Sequence, residues 1–227
     1  MGLNKSKGNM YPFITHTWNT VKGKCPHDCS YCYMKRWGKQ KPIRFDESEL
    51  KTDLGEGNFI FVGSSCDMWA DSIPEDWVLN TIDHIEKYPY NTYLFQSKNP
   101  ERMFKGRWMF KPTINFMFGT TIETNRYYKE MGKTPIPISR SKFLYFIGNK
   151  SFKTMITVEP IMDFDRQDLV DLIIICNPEW VNIGADSQNS GLPEPGADKI
   201  KALIETLKAE KIKVKIKDNL KRLMRGK

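Results

Sequence analysis

Seven short runs along the chain are rich in β-branched and aromatic residues and apolar on both faces: Phe13–Trp18, Phe59–Val62, Thr92–Phe95, Ile114–Phe118, Thr154–Val158, Trp180–Ile183 and Ile212–Lys217. Runs of this length with little alternation are the pattern of strands buried on both sides, as in a parallel sheet. Between them lie stretches with helical spacing of apolar residues, at Pro74–Lys87, Asp165–Ile174 and Ala197–Glu210. In the first of these, Pro74, Glu75 and Asp76 are the residues a helix N-terminus favours. The stretch Asn125–Asn149 holds Pro135 and Pro137, which predicts two short helices around a break. No repeat and no low-complexity tract interrupts this alternation. It predicts an α/β fold, a single domain over residues 1–227, with a strand and helix over 211–227 at its end. An incompletely closed barrel of six βα units suits the length, because a full eight-fold barrel takes about 250 residues.

Chemistry in such sheets gathers at the carboxyl ends of the strands. The unusual polar residues fall there: Ser64, Ser65 and Asp67 after the second run, Lys98 after the third, then Glu123, Glu159 and Asp186 after the next three.

Charge adds a partner class. The 35 Lys and Arg exceed the 27 Asp and Glu, a formal net of +8, which suits a phosphate-bearing partner but equally a soluble surface. Five cysteines are too few and too uneven for a disulfide scaffold; three fall in one short loop, while Cys66 and Cys176 stand apart. That clustering points to metal binding in a reducing compartment. Met1 to Met10 is polar and basic without an apolar core, so no signal peptide is expected. Apolar runs such as Leu172–Cys176 are far too short to span a bilayer. A cytoplasmic protein with no membrane segment is the expectation; nothing here bears on oligomeric state.

The loop at residues 23–34 contains Cys25-Pro26-His27-Asp28-Cys29-Ser30-Tyr31-Cys32. Three thiolates at these spacings can each take one iron of a cubane and leave the fourth iron open to a small molecule. Structural zinc is the competing reading, with His27 as a fourth ligand.

The spacing Cys-x-x-x-Cys-x-aromatic-Cys after a first strand resembles the signature of the radical S-adenosylmethionine (SAM) superfamily. Further segments resemble one small phage- and prokaryote-associated family within it, distantly similar to spore photoproduct lyase: Thr17-Trp18-Asn19, Val62 to Trp69, Ser97 to Met103, Val158-Glu159-Pro160 and Lys217 to Leu220. The resemblance implies a partial (β/α)6 barrel and a 4Fe-4S cluster on Cys25, Cys29 and Cys32. It also implies that SAM chelates the unique iron through its amino and carboxylate groups, with Tyr31 packed near the adenine. Reductive cleavage to a 5′-deoxyadenosyl radical then follows, fed by an electron donor such as flavodoxin or ferredoxin. In place of the Gly-Gly-Glu common in the superfamily, this chain has Gly63-Ser64-Ser65-Cys66-Asp67. Ser64, Ser65 and Asp67 are therefore candidate SAM contacts, or a capped turn.

The remaining candidates each carry two readings. Glu159 and Glu123 bind SAM or substrate, or form loop salt bridges. Gly184 admits a close approach to the adenine, or only turns the chain. Lys98 meets a phosphate or carboxylate, or is solvated. Cys66 donates a hydrogen atom to a substrate radical, or is an inert buried thiol. Lys213 and Lys215 read as edge-blocking charges, and Lys217 as pointing into the site. His16, His84 and Cys176 read as structural. Lys98, Lys217, Arg102 and Arg126, with the net charge, make nucleic acid or a nucleotide-derived molecule the expected substrate. The rival from another class is a non-catalytic nucleic-acid-binding module of a mobile element, stapled by a structural metal.

Overall fold

The alternating runs assemble into one eight-stranded sheet. The computed structural model describes residues 2–8, 10–149 and 152–225; the remaining six positions of the expected 1–227 domain, including Gly226 and Lys227 at its end, lie outside the described residues. The strands are β1 (Asn4–Lys5), β2 (His16–Trp18), β3 (Val21–Lys22), β4 (Arg44–Phe45), β5 (Phe59–Val62), β6 (Thr92–Gln96), β7 (Asn115–Thr121), β8 (Lys153–Val158), β9 (Val181–Ile183) and β10 (Val214–Ile216). In space the sheet runs β1-β2-β5-β6-β7-β8-β9-β10, with β3 and β4 forming a separate ribbon. From β2 to β10 every pairing is parallel; only β1 runs antiparallel, against β2. The helices α1 (Glu75–Ile85), α2 (Pro100–Lys105), α3 (Pro137–Gly148), α4 (Arg166–Ile175), α5 (Ala197–Ala209) and α6 (Lys221–Met224) follow β5 to β10 in turn. After β2 the cysteine loop stands where a helix would.

The central strands β5 to β8 feed two cores. Ile60 and Val62, Tyr93 and Phe95, Phe116 and Phe118, and Ile156 and Val158 point to the helices. Phe61, Leu94, Met117 and Met155 point inward, where Tyr11 and Ile14 join them. That double burial is why the runs read as continuously apolar. In α5, Ile200, Leu203, Ile204 and Leu207 are buried, the three-four spacing of one helical face.

Two expectations change. The first strand is shorter than Phe13–Trp18, because Tyr11 to Ile14 leave the sheet and plug the barrel from below. Only one helix, not two, occupies 125–149: α3 begins at Pro137, a position where the missing N–H costs nothing, and a single 3-10 turn at Lys129–Met131 precedes it.

Candidate active site

The carboxyl ends of the strands open into a cavity of about 1310 Å³, with Cys25, Cys29 and Cys32 on one wall and Glu159 and Lys217 among its other lining residues. A layer of hydrogen-bonded polar residues separates it from the apolar plug. The Tyr11 hydroxyl donates to Gln96 Oε1 at 2.7 Å and shares a 2.7 Å contact with Thr157 Oγ1, while Gln96 Nε2 donates to Thr121 Oγ1 at 3.2 Å. Buried polar side chains of this kind are stable only when paired.

The cysteine loop is braced from both ends and from below. The β3–β4 ribbon closes its base, and Lys24 N donates to Lys41 O at 2.9 Å. Beneath it, Ser30 N donates to Glu130 O at 2.8 Å, Lys133 N to His27 O at 2.7 Å, and Cys29 Sγ to Met131 O at 3.2 Å. Burial pushes the Cys29 thiol up to about 11 and raises Cys32 as well, while the neighbouring Cys66 thiol holds Cys25 down at about 7. All five cysteines are free. No three His, Cys, Asp or Glu side chains among the described residues gather round a single-ion point. A cubane asks something else, one thiolate for each of three irons, and three thiols on one braced loop facing a cavity are the donor set it needs. His27, the fourth ligand of the zinc reading, contacts Asp67 Oδ2 through Nε2 at 2.9 Å.

Close packing under this loop makes a sharp test. Gly132 has φ +66°, and a Cβ there would sit 2.2 Å from the His27 carbonyl oxygen and 2.9 Å from the Asp28 carbonyl carbon. Backbone cannot yield cheaply at either point. Gly132→Ala is expected to destabilise the fold by about 1–3 kcal/mol and to lower the iron retained after anaerobic reconstitution. Denaturant titration and iron analysis read the two effects; wild-type values in both would show the loop to be looser than this packing.

Asp67 is a brace. Its Oδ2 accepts from His27, from Ser97 Oγ at 2.9 Å and from Lys98 N at 2.9 Å, and its Oδ1 accepts from Trp69 N at 3.0 Å. Burial alone would raise this carboxyl, but His27 outweighs it and holds it below its ordinary value. Ser64 and Ser65 both turn to Asn19, whose Oδ1 accepts from Ser64 Oγ at 3.2 Å, Ser65 N at 2.9 Å and Ser65 Oγ at 3.0 Å. Asp67, Ser64 and Ser65 line the cavity.

Glu123 lies fully buried behind the wall. One oxygen accepts from the Tyr31 hydroxyl and from Lys98 Nζ, the other from Arg140 at 2.7 Å. Lys98 Nζ also stands 5.1 Å from the centre of the Tyr31 ring. Glu123 therefore reaches the cavity through Tyr31 and Lys98, which do line it. On the far side, Lys217 Nζ donates to Glu159 at 2.6 Å and Asn219 Nδ2 donates to its other oxygen at 2.8 Å. A Cβ on Gly184 would lie 2.7 Å from Glu159 Oε1 and 3.0 Å from Asn219 Oδ1, so the room that Gly184 leaves is taken by this carboxylate. Asp186, at the rim, accepts from Gln188 N at 2.9 Å and from Ser190 N, tying down its own loop.

Two expected phosphate contacts are spent elsewhere. Arg102 donates to the carbonyls of Ala70 and Ile73, and Arg126 grips Asp163 and Asp165. Lys215 covers the Trp180 ring at 3.5 Å on the edge strand β10. His84 and Cys176 bond to backbone carbonyls away from the cavity. Sequence reasoning gives Asn19, Asn219 and Arg140 no role in the site, and His27 only that of a zinc ligand, because each acts through a partner distant in sequence; Asn19 and Asn219 fall within the family-like segments and His27 within the cysteine loop, which is the signal that could have found them.

No protein-family model and no curated protein matches the sequence. Solved structures do. A spore photoproduct lyase double mutant with bound AdoMet and dinucleoside spore photoproduct has a TM-score of 0.58 at 15% identity, over 90% of this chain and 62% of that one. This is a radical SAM-like partial barrel. Streptococcus suis SuiB bound to S-adenosylmethionine gives 0.53 at 9% identity, over 88% of this chain and 50% of that one. The chain thus spans less than two thirds of the lyase it resembles. No helix among the described residues is long and apolar enough to cross a membrane.

Proposed function

We propose that this chain is a radical SAM enzyme, with a 4Fe-4S cluster on Cys25, Cys29 and Cys32, acting on nucleic acid or a nucleotide-derived molecule. The observation that carries the reading is three thiols of one braced loop facing a large cavity at the carboxyl ends of a radical SAM-like barrel. Cys25, Cys29 and Cys32 would hold the cluster, which when bound would supply the one-electron reduction that cleaves SAM for radical chemistry on the substrate. The electron comes from a flavodoxin- or ferredoxin-type donor in a reducing cytoplasm.

The chain's own residues bind and orient. Lys98, held against Tyr31, is placed to meet the SAM carboxylate, and Tyr31 offers its ring to the adenine. Ser64 and Ser65, fixed by Asn19, present hydroxyls at the amino-acid end, and Asp67 holds that turn against His27 of the cluster loop. Glu159, with Lys217 and Asn219, offers acceptor and donor atoms to ribose hydroxyls. Gly184 and Glu123 act behind these groups as positioning residues. Cys66, beside Cys25 on the cavity wall, is the thiol within reach of a substrate radical.

The test is anaerobic reconstitution with iron and sulfide, followed by SAM and dithionite. The expected protein is brown with about four irons, its electron paramagnetic resonance spectrum shifts on adding SAM, and it releases 5′-deoxyadenosine slowly without substrate. Colourless protein with stoichiometric zinc, or a spectrum indifferent to SAM, would overturn the proposal in favour of a metal-stapled binding module.

A further inference from the structure

The cluster loop continues into a segment that the cysteine chemistry does not use. From Cys29 to Phe45 there is no acidic residue, while Lys35, Arg36, Lys39, Lys41 and Arg44 are all cations and all exposed. Lys35 meets Asp28 at 3.2 Å; the other four have no carboxylate partner among the described residues. Gathering like charges without counter-ions is unfavourable unless an anion comes to them. At the tip, Trp37 is 69% exposed, and the Arg36 guanidinium lies 5.3 Å from its ring centre and 5.8 Å from that of Tyr33.

This tip is ordered from below. Gln40 Nε2 donates to Met34 O at 3.0 Å and to Gly38 O at 3.2 Å, closing the turn. At the base, Gly23 has φ +110° and approaches so closely that a Cβ would lie 2.5 Å from Pro42 O. A platform held in shape before binding loses little entropy when a ligand arrives. Arg36, Gly38, Lys39 and Gln40 also line the cavity that holds the three thiols, so the tip adjoins it.

We propose that residues 33–44 form a grip for single-stranded nucleic acid, with Trp37 stacking on an unpaired base and Arg36, Lys39, Lys41 and Arg44 on successive phosphates. An exposed aromatic interleaved with cations is the arrangement that binds single strands irrespective of sequence. Paired bases hide their faces, so a duplex gains only the charge. The inference deepens the substrate class of the function proposed above and rests on that reading for the chemistry that follows binding.

Binding is read by fluorescence anisotropy on the full chain, with labelled single-stranded DNA, single-stranded RNA and duplex DNA of about 12 nucleotides. With three or four phosphates engaged at a slope of about −0.7 each, single-strand affinity falls roughly twenty- to fiftyfold between about 50 and 200 mM salt. Trp37→Ala weakens it about tenfold, and Lys39→Ala with Lys41→Ala makes the salt slope shallower by about 1.4. Trp108→Ala and the α5 pair Lys201→Ala with Lys208→Ala serve as controls on other exposed sites and leave binding unchanged. A strand of either sugar that shows this pattern supports the grip. Duplex binding as tight as single strand, Trp37→Ala binding like wild type, or an α5 pair as damaging as the loop pair would each overturn it. Deoxyadenosine release is measured separately: intact SAM cleavage with no strand binding sinks the grip alone, and strand binding without SAM cleavage sinks the enzyme reading alone.

Discussion

Cys25→Ala, Cys29→Ala and Cys32→Ala are each expected to emerge from anaerobic reconstitution colourless and to release no 5′-deoxyadenosine, whereas Cys176→Ala is expected to stay brown and active. The asymmetry follows from where the thiols stand. The first three share one braced loop and one cavity wall, and removing one iron ligand from a three-ligand site leaves two. Cys176 is buried at the end of α4, donating to Leu172 O at 3.2 Å and touching Ser141 Oγ at 3.2 Å. Its loss is a small packing defect, on the order of 1 kcal/mol, visible as a lower melting temperature. Cys66→Ala separates the roles further: it keeps colour and uncoupled deoxyadenosine release and loses only turnover of substrate. Iron analysis, visible absorbance and deoxyadenosine quantitation read all five proteins. An unchanged iron content in any of the three loop variants, or bleaching in Cys176→Ala, would remove the cluster assignment.

The central strands β5 to β8 were legible because burial on both faces makes them mostly apolar, and β7 shows how. Phe116 and Phe118 face the helices while Met117 faces the plug, so no polar residue interrupts the run until the cavity is reached. The two-residue strands β1, β3 and β4 carry no period to detect. Phe13 and Ile14 read as the start of a strand for a physical reason: a plug that fills a barrel needs the same aromatic and branched residues as a buried strand. In the site, the thiol spacing and the carboxyl-end residues were visible along the chain. What those residues touch was not. Asp67 reads as a SAM contact or a turn cap and Glu123 as a ligand contact or a salt bridge, and only the fold shows which partners hold them. Arg140 sits in α3 between Ser139 and Ser141, where nothing local marks it as the partner of a carboxylate on another element. Polar lumen residues such as Gln96 and Thr157 look like ordinary strand ends, because the pattern that unites them exists only once the strands lie side by side.

Arg140→Ala is expected to cost about 3–5 kcal/mol at neutral pH, the scale for stripping one partner from a fully buried ion pair. Arg140 and Glu123 are both wholly inaccessible to solvent. The guanidinium also donates to Pro135 O at 2.6 Å, Thr134 Oγ1 at 2.6 Å and Thr121 O at 2.9 Å, so the substitution orphans three acceptors besides the carboxylate. The pH dependence identifies the electrostatic share. Burial would push Glu123 up from its ordinary value near 4.5, but Arg140 and then Lys98 outweigh it and hold the carboxyl at about 2. A depressed carboxyl stabilises the fold fully above pH 4.5, and that contribution fades as pH falls toward 2. Without Arg140 the carboxyl protonates at higher pH, which relieves its unpaired charge. The stability gap between wild type and variant is therefore widest at neutral pH and narrows on acidification through that window. Urea titrations at several pH values measure it, with Glu123→Gln and the double variant completing a cycle that isolates the pair. A loss below about 1 kcal/mol, or a gap that does not narrow with acid, would show that Tyr31 and Lys98 are held in the cavity wall by something other than this buried carboxylate.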